Sequence, residues 1–388
     1  MVTIFTPTFN RGYIIERLYQ SLKRQTCKDF EWIVIDDGST DNTEKKIQKW
    51  IQERNSFVIK YKKVKNGGKH RAINIGVNMA HSEFFFIVDS DDYLTEDAIK
   101  KVHGWINSIC NDPAFAGVSG LKGFSTESPI GGWGKFTNSY IDATNLERER
   151  YGLLKDKAEI YKTSVLKRYP FPEFENENFL TEAIVFNKIA QAGYKLRWFK
   201  EVIYICEYLP DGLTKCGYSK SIKNPQGYMA YLNLLAEIYG EQYGDTLKFG
   251  FYFVLRGDND IMKCKEIMGI ASKKTYIFEQ RYEEMIKSMN HYFEEHNWTN
   301  IAIYGYGNVG NAFLSCKELL DVNIKYIIDR NPINKGEIKT YCLKDNLEEV
   351  DAVIITLLNY DLNLENKIKE LFSTVVYWKD ISSNYWVR

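Results

Sequence analysis

The sequence lacks any apolar run long enough to cross a membrane. A spanning helix needs about 20 consecutive apolar residues, and the chain contains no such run. No signal peptide precedes the strand-like residues that follow the first Met. We therefore expect a protein of the cytoplasm that either stays in solution or contacts the inner face of the membrane from its surface.

Cysteine and charge of one sign are also in short supply. The seven cysteines are scattered, and no two of them have CxxC spacing. Structural zinc sites and disulfide frameworks need such groupings, so the sequence argues against both and fits a reducing compartment. Lys plus Arg and Asp plus Glu both total 51. A chain with no net charge has no overall field that attracts nucleic acid, and we expect no nucleic-acid partner.

The length of 388 residues allows more than one domain. We predict an α/β domain over residues 1–225, a helical extension and connector over 226–297, and a smaller α/β domain over 298–388. The sequence makes no prediction about the oligomeric state.

Short apolar strands alternate with helices in the first part of the chain. Strands are predicted at residues 2–6, 31–35 and 84–88, and helices at 10–25 and 71–79, with a further helix at 178–193. This alternation indicates right-handed crossovers and a mostly parallel sheet. In such sheets, ligands bind beyond the carboxyl ends of the strands. The polar clusters of the sequence lie at those ends, and we expect them to converge.

The strand at 84–88 (FFFIV) ends abruptly at three carboxylates, Asp89, Asp91 and Asp92. Charges this close repel one another by about 1 kcal/mol per pair in water and by more inside a protein. A divalent cation would offset that repulsion, and oxygen ligands suit Mg²⁺ or Mn²⁺. A solvated acidic turn before a helix explains the same residues. On these residues alone, both interpretations stay open.

A second glycine-rich pattern lies near the end of the chain. An apolar strand at 301–304 is followed by Gly305, Gly307 and Gly310, and Asp329 ends the next strand. This spacing is typical of a dinucleotide fold. We predict a small Rossmann-like domain. It could bind NAD(P) or another nucleotide, or it could be purely architectural.

The order and spacing of five motifs resemble those of the family 2 glycosyltransferases, over roughly residues 2–214. The motifs are TPTFNR at 6–11, WIVIDDGSTD at 32–41, NGGKH at 66–70, DSDD at 89–92 and FLTE at 179–182. The resemblance implies a GT-A fold and an inverting enzyme. It would move a single sugar from a nucleotide diphosphate, most simply a UDP-sugar, to a glycan or lipid-linked glycan in bacterial surface polysaccharide biosynthesis.

The resemblance also implies roles for individual residues. The donor-binding set comprises Thr6, Pro7, Asp36, Asp37, Lys69, Asp89 and Asp91. Within this set, Asp91 would hold Mg²⁺ or Mn²⁺, Asp89 would lie nearer the ribose or sugar, and Lys69 would meet the diphosphate. Asp36 and Asp37 would accept hydrogen bonds from the nucleobase and ribose, and Pro7 would shape the first loop. Asp92 is a further possible member.

An inverting transfer needs a base for the acceptor hydroxyl. The family comparison points to Glu182, although relatives often carry Glu-Asp where this chain has Thr181-Glu182. Glu175 and Glu177 are nearby competitors, and a first-turn glutamate that favours the helix dipole is the structural alternative.

Four further residues are considered for less specific reasons. Trp133 could stack on an acceptor sugar, and Asp156 and Glu159 lie where relatives shape the acceptor pocket. His70 is expected to be an ordinary exposed loop histidine.

Three alternative functions stay in view. An NAD-dependent oxidoreductase would be centred on the Gly305–Gly310 motif, in a segment that is short for such an enzyme. A sugar-1-phosphate nucleotidyltransferase would carry a glycine-rich, arginine-containing first loop, and residues 6–11 do not have that composition. An inactive sugar-nucleotide-binding scaffold would not require Asp89, Asp91 and Glu182 to be present together.

Overall fold

The computed structural model describes residues 1–110, 112–207, 219–330, 338–357 and 362–382. The chain divides into two compact units, Met1–Lys215 and Cys216–Arg388. The domain limits at residues 225 and 297 stay predictions of the sequence.

Ten strands among the described residues of the first unit form one sheet, in the order β3-β2-β1-β4-β9-β6-β10-β5 with β7 beside β6 and β8 beside β10. The strands are β1 Val2–Thr8, β2 Phe30–Asp36, β3 Val58–Lys63, β4 Phe84–Ile87, β5 Tyr93–Leu94, β6 Phe115–Ser125, β7 Ser128–Pro129, β8 Tyr140–Ala143, β9 Lys157–Lys162 and β10 Lys195–Ile205.

The helices of the first unit connect these strands. They are α1 Glu16–Lys23, α2 Thr43–Gln52, α3 Lys69–Met79, α4 Ala98–Asn107, α5 Thr163–Arg168 and α6 Ala183–Gln191, with a 3₁₀ turn at Arg148–Tyr151. The strands β3, β2, β1 and β4 run parallel, and so do β6 and β10. Strand β9 is antiparallel to both of its neighbours, β4 and β6. The predicted mixed α/β fold with a mostly parallel sheet is confirmed.

The three phenylalanines of β4 lie at the centre of this sheet. Phe84, Phe85 and Phe86 are at most 2% exposed. Phe86 pairs with Ile4 of β1 on one side and with Ile160 of β9 on the other. A short apolar run suits a strand covered on both faces. It also fixes where the polar residues that follow it emerge, which is at the carboxyl edge of β1 and β4.

In its described residues, the second unit contains three long helices, several short ones and a smaller parallel sheet. Its elements are α7 Ser219–Lys223, α8 Pro225–Tyr239, α9 Glu241–Asp258, α10 Ile261–Met268, α11 Ser272–Glu295, β11 Asn300–Tyr304, α12 Asn308–Ser315, a 3₁₀ turn at Lys317–Leu319, β12 Asn323–Ile328, β13 Thr340–Tyr341, β14 Ala352–Ile355, α13 Leu362–Lys369, β15 Val375–Tyr377 and α14 Trp378–Ile381. The sheet order is β13-β12-β11-β14-β15. One apolar core joins the helices to the sheet and includes Phe253, Met289 and Ile303.

Two other features of the fold bear on the sequence predictions. The helix predicted at residues 178–193 begins only at Ala183, and residues 170–181 before it have no regular secondary structure apart from a turn. Within the described residues, no helix has both the length and the apolar character that a membrane span requires.

Candidate active site

A lysine bridges two carboxylates at the carboxyl edge of the large sheet. Lys69 is the first residue of α3, Asp89 follows β4, and Glu182 immediately precedes α6. The Nζ atom of Lys69 lies 2.6 Å from Oδ1 of Asp89 and 2.7 Å from Oε1 of Glu182. All three side chains keep between a quarter and a third of their surface exposed. Three residues predicted from separate motifs therefore meet at one open site.

The charges of this site depend on one another. Burial acts to lower the pKa of Lys69, but Asp89 and Glu182 outweigh burial and raise the pKa above its usual range. Burial acts in the opposite direction on Asp89, whose pKa is nonetheless lowered by Lys69 and Lys122. An ammonium group that stays charged beside open solvent can attract a phosphate.

The other two carboxylates of the DSDD motif have different surroundings. Burial and the charge of Asp89 raise the pKa of Asp91, which is partly exposed. The same two causes raise the pKa of Asp92 to about 7, and Asp92 is only 8% exposed. Tyr204 opposes the rise in the pKa of Asp92, and Asp92 in turn contributes to the raised pKa of the Cys206 thiol. Asp91 is therefore the member of the motif that is open to a ligand, and Asp92 is tied into the wall of the site.

Two residues of this wall were missed by the sequence analysis. The hydroxyl of Tyr204 on β10 accepts a hydrogen bond of 2.9 Å from the backbone N–H of Asp89. Lys122 on β6 places its Nζ 4.2 Å from the centre of the Tyr204 ring. Burial acts to lower the pKa of Lys122, but the attraction of Asp89 outweighs it and raises the pKa. Their only sequence signal is that each lies near the end of a strand.

The paired aspartates after β2 hold loops together. Asp36 has no exposed surface, and its two oxygens accept hydrogen bonds from the N–H of Ser39 at 2.7 Å and the hydroxyl of Tyr61 at 2.7 Å. Asp37 accepts bonds of 2.8 Å from the N–H groups of Gly67 and Gly68. Burial raises the pKa of Asp37, although these two bonds oppose the rise. The predicted contacts of both residues to base and ribose stay predictions.

Thr6 and Pro7 lie inside β1, which extends through Thr8. Thr6 has no exposed surface, and its hydroxyl accepts a bond of 2.9 Å from the indole N–H of Trp32. The strand predicted at residues 2–6 therefore extends two residues further, and Pro7 lies in the strand and not in the loop that the resemblance implies. After β1 the chain becomes exposed at Phe9.

Glu182 differs from its two competitors in its contacts. Glu175 is exposed and Glu177 is buried, whereas Glu182 is bonded to Lys69. Glu182 occupies the N-cap position of α6, but its side chain makes no capping hydrogen bond. The capping role that a helix-start glutamate usually has is thus not the one observed, and of the three residues Glu182 alone reaches the bridging lysine.

His70 is buried at 2% exposure, which corrects the expectation of an exposed loop histidine. Burial lowers its pKa to about 4, with a smaller contribution from Arg71. Its Nδ1 atom has no hydrogen-bond partner among the described residues. The ring therefore belongs to the core beneath the site.

The suggested acceptor residues lie along β9 and the loops before it. Trp133 is 43% exposed, and Asp156 is exposed as well. Glu159 is half-buried on β9, with Arg148 at 3.5 Å, and burial raises its pKa to about 7 despite that arginine. A contact of Trp133 or Asp156 with an acceptor stays a prediction.

The glycine motif of the second unit forms the turn between β11 and α12. Gly305 has a φ of +102°, and a Cβ atom on Gly310 would lie 2.1 Å from the carbonyl oxygen of Gly305. Asp329 follows β12 and accepts a bond of 2.8 Å from the N–H of Tyr306. Gly305, Gly307, Gly310 and Asp329 therefore share one edge. Whether NAD(P) or another nucleotide binds there stays a prediction.

The carboxylates suit a metal ion that takes few protein ligands. Among the described residues, no group of three or more His, Cys, Asp or Glu side chains could hold a metal ion by itself. Mg²⁺ and Mn²⁺ accept one or two carboxylates and fill their remaining positions with phosphate and water. The partly exposed Asp91 fits that pattern.

Comparison with known proteins finds a family match within the first unit. Residues 3–119 match Glycosyl transferase family 2. The hyaluronan synthase of Pasteurella multocida is 25% identical over 383 residues, which are 98% of this chain and 31% of that protein. The poly(ribitol-phosphate) beta-N-acetylglucosaminyltransferase TarS of Staphylococcus aureus (strain Mu50) is 29% identical over 170 residues, covering 42% of this chain and 28% of TarS. This chain spans about a third of the length of these two relatives.

The crystal structure of S. aureus TarS 1–349 in complex with UDP-GlcNAc gives a TM-score of 0.50 at 22% identity. The alignment covers 63% of this chain and 69% of that one. At this identity the likeness concerns the fold, which is the predicted GT-A arrangement. The resemblance to family 2 glycosyltransferases is confirmed.

Proposed function

We propose, on the premise that residues 3–119 belong to glycosyl transferase family 2, that the protein transfers one sugar from a nucleotide diphosphate to a hydroxyl group of a glycan. The observation that supports this proposal is the contact of Lys69 with both Asp89 and Glu182 at the open edge of the sheet. It puts a cation suited to diphosphate beside a carboxylate suited to proton abstraction.

The donor is proposed to be a UDP-sugar whose diphosphate contacts Lys69. The N-terminus of α3, which begins at Lys69, favours an anion at the same place. The names of the two curated relatives concern hyaluronan and poly(ribitol phosphate), both of them polymers. They support a glycan or lipid-linked glycan of a bacterial surface polymer as the acceptor.

Mg²⁺ or Mn²⁺ is proposed to bind at Asp91. When bound, such an ion neutralises negative charge on a departing diphosphate. Asp89 stays paired with Lys69, and the hydrogen bond from its backbone N–H to the hydroxyl of Tyr204 holds its backbone in place. The protein's part is then to hold donor and acceptor in line.

Glu182 is proposed to be the general base. A carboxylate oxygen of Glu182 takes the proton of the acceptor hydroxyl as the hydroxyl oxygen attacks the anomeric carbon. The bond from this carbon to the diphosphate oxygen then breaks. Attack from the face opposite the leaving group inverts the configuration of the anomeric carbon. A positioned base of this kind contributes about 10²- to 10⁴-fold to the rate.

A donor screen tests the function. Nucleotide sugars are added to the full chain with Mg²⁺, Mn²⁺ or a chelator, and donor hydrolysis and thermal stabilisation are measured. We expect metal-dependent turnover of at least one donor. Asp91→Asn should abolish this turnover. Asp97→Asn is the control and should leave turnover unchanged, because Asp97 contacts Thr95 and Lys101. If no nucleotide sugar is hydrolysed or stabilises the protein, the proposal is wrong.

A further inference from the structure

The segment that carries Glu182 has little structure of its own. Residues 170–181 connect α5 to α6 without helix or strand. Backbone polar groups in such a segment need partners elsewhere, and a catalytic group needs to be held within about half an ångström of its working position. The contacts that fix this segment therefore decide where Glu182 lies.

Arg71 supplies three of these contacts with one side chain. Its Nη1 donates to the carbonyl of Gly67 at 2.6 Å and to the carbonyl of Glu177, and its Nη2 donates to the carbonyl of Phe174. Its Nε lies 3.3 Å from the carboxylate of Glu173. A guanidinium offers five donors in a rigid plane. Arg71 thus joins the glycine turn before α3 to Glu173, Phe174 and Glu177 of the irregular segment.

Neighbouring residues of α3 hold the same segment. The side-chain amide of Asn74 donates to the carbonyl of Phe171 at 2.9 Å, and its oxygen accepts from the N–H of Phe171 at 2.9 Å. Gly68, at a φ of +95°, lies so close to the segment that a Cβ atom would be 1.9 Å from the carbonyl oxygen of Asn178. The segment is therefore packed directly on the glycine turn.

The glycine turn is fixed from its other side by Asp37, whose two oxygens bind the N–H groups of Gly67 and Gly68. A continuous series of contacts leads from Asp37 through this turn to Arg71 and on to Phe174 and Glu177. The series ends five residues before Glu182. The loops that would hold the donor and the base are thus one connected structure.

We propose that Arg71 is a positioning residue for the transfer reaction, which holds the Glu182 segment against the donor turn without contacting the substrate. This proposal rests on the proposed function for its effect on catalysis. Its structural part concerns the protein alone, so the two can be tested separately.

Hydrogen exchange tests the structural part without any substrate. In Arg71→Met, the loss of hydrogen bonds from a charged donor should speed amide exchange across residues 171–181 by about tenfold or more. The control is Arg168→Met, since Arg168 is an exposed arginine that bonds to the hydroxyl of Tyr194 at 2.7 Å. It should leave this exchange unchanged. Unchanged exchange in Arg71→Met overturns the proposal.

Kinetics test the catalytic part on a donor that the wild-type protein uses. Arg71→Met should lower kcat for transfer by about 10²-fold, as expected for a displaced catalytic group, and change the donor KM less than threefold. The kcat of Arg71→Lys should fall between those of the wild-type protein and Arg71→Met. Guanidinium ions added to Arg71→Ala should restore part of kcat, which general destabilisation would not allow. A loss confined to the donor KM, or no rescue, overturns the positioning role. If no donor is used at all, the proposed function fails and the exchange experiment still decides the role of Arg71.

Discussion

The two sheets of this protein present similar edges with different chemistry. In each sheet, a polar turn or a carboxylate follows the carboxyl end of a parallel strand. At the edge of the large sheet, Lys69, Asp89 and Glu182 are charged, mutually bonded and partly exposed. At the edge of the small sheet, Asp329 accepts a hydrogen bond from the N–H of Tyr306 in the neighbouring glycine turn. The comparison teaches that topology marks where a ligand could bind, whereas the side chains decide what chemistry is possible.

The largest effect is expected from removing the base at the charged edge. Glu182→Gln keeps the size of the side chain but cannot accept a proton, so we expect transfer to fall by about 10²- to 10⁴-fold. Donor affinity, measured by calorimetry, should change little. Glu175→Gln is the matched control, because Glu175 is exposed on the same segment. Full transfer activity in Glu182→Gln would remove the chemical difference between the two edges.

The next effect concerns the buried histidine beneath the charged edge. The pKa of His70 is about 4 in the folded protein against an ordinary value of 6.5. As the pH falls below 6.5, the unfolded chain binds a proton that the folded protein refuses. The free energy of unfolding should therefore drop between pH 6.5 and 4, by up to about 3 kcal/mol, and this contribution should level off below pH 4.

Urea denaturation at pH 7 and pH 5 measures this drop. His70→Gln should lose part of the pH dependence, whereas His81→Gln, at an exposed position, should retain it. An unchanged dependence in His70→Gln would mean that the histidine is not the group that titrates.

At the other edge, a methyl group tests the glycine turn. Gly310→Ala would place a Cβ atom 2.1 Å from the carbonyl oxygen of Gly305, whereas Gly307→Ala meets no atom within 4 Å. We expect Gly310→Ala to lower the free energy of unfolding by about 1–3 kcal/mol and Gly307→Ala to change it much less. Both should leave kcat for sugar transfer unchanged. A loss of transfer in either variant would give the second edge a part in the reaction.

The smallest effect is expected for Asp329→Asn. The amide oxygen can still accept the bond from Tyr306, so the free energy of unfolding should fall by less than about 1 kcal/mol. Calorimetry with NAD⁺ and with UDP on the full chain measures the second consequence. Binding that is present in the wild-type protein and lost in this variant would make the second edge a nucleotide site like the one predicted.

The sequence predicted the parts of the site that are marked locally. The apolar run at 84–88 predicted both a buried strand and the edge at which Asp89 emerges. The motifs also contain Lys69, Asp89 and Glu182, and the structure brings both carboxylates within 2.7 Å of the Nζ atom of Lys69. The strand and its edge could be predicted because a strand's end is encoded within a few neighbouring residues, whereas the roles of Lys69 and Glu182 stay predictions.

The parts that were missed depend on contacts between distant segments. Lys122 and Tyr204 meet only because β10 pairs with β6, and nothing near either residue indicates that pairing. The start of the helix before residue 193 was predicted five residues too early, since apolar spacing continues through a segment that Arg71 and Asn74 hold in another conformation. The burial of His70 likewise depends on the packing around α3.

The position of strand β9 determines how long a fragment must be to contain the whole large sheet. The family match ends at residue 119, yet β9 (157–162) lies between β4 and β6 in the middle of the sheet. A fragment that stopped at the limit of the match would keep β1 to β4, cut β6 short and lack both β9 and β10. The family match therefore ends well before the first unit does. Truncations intended to preserve the sheet should therefore extend beyond β10, which ends at Ile205.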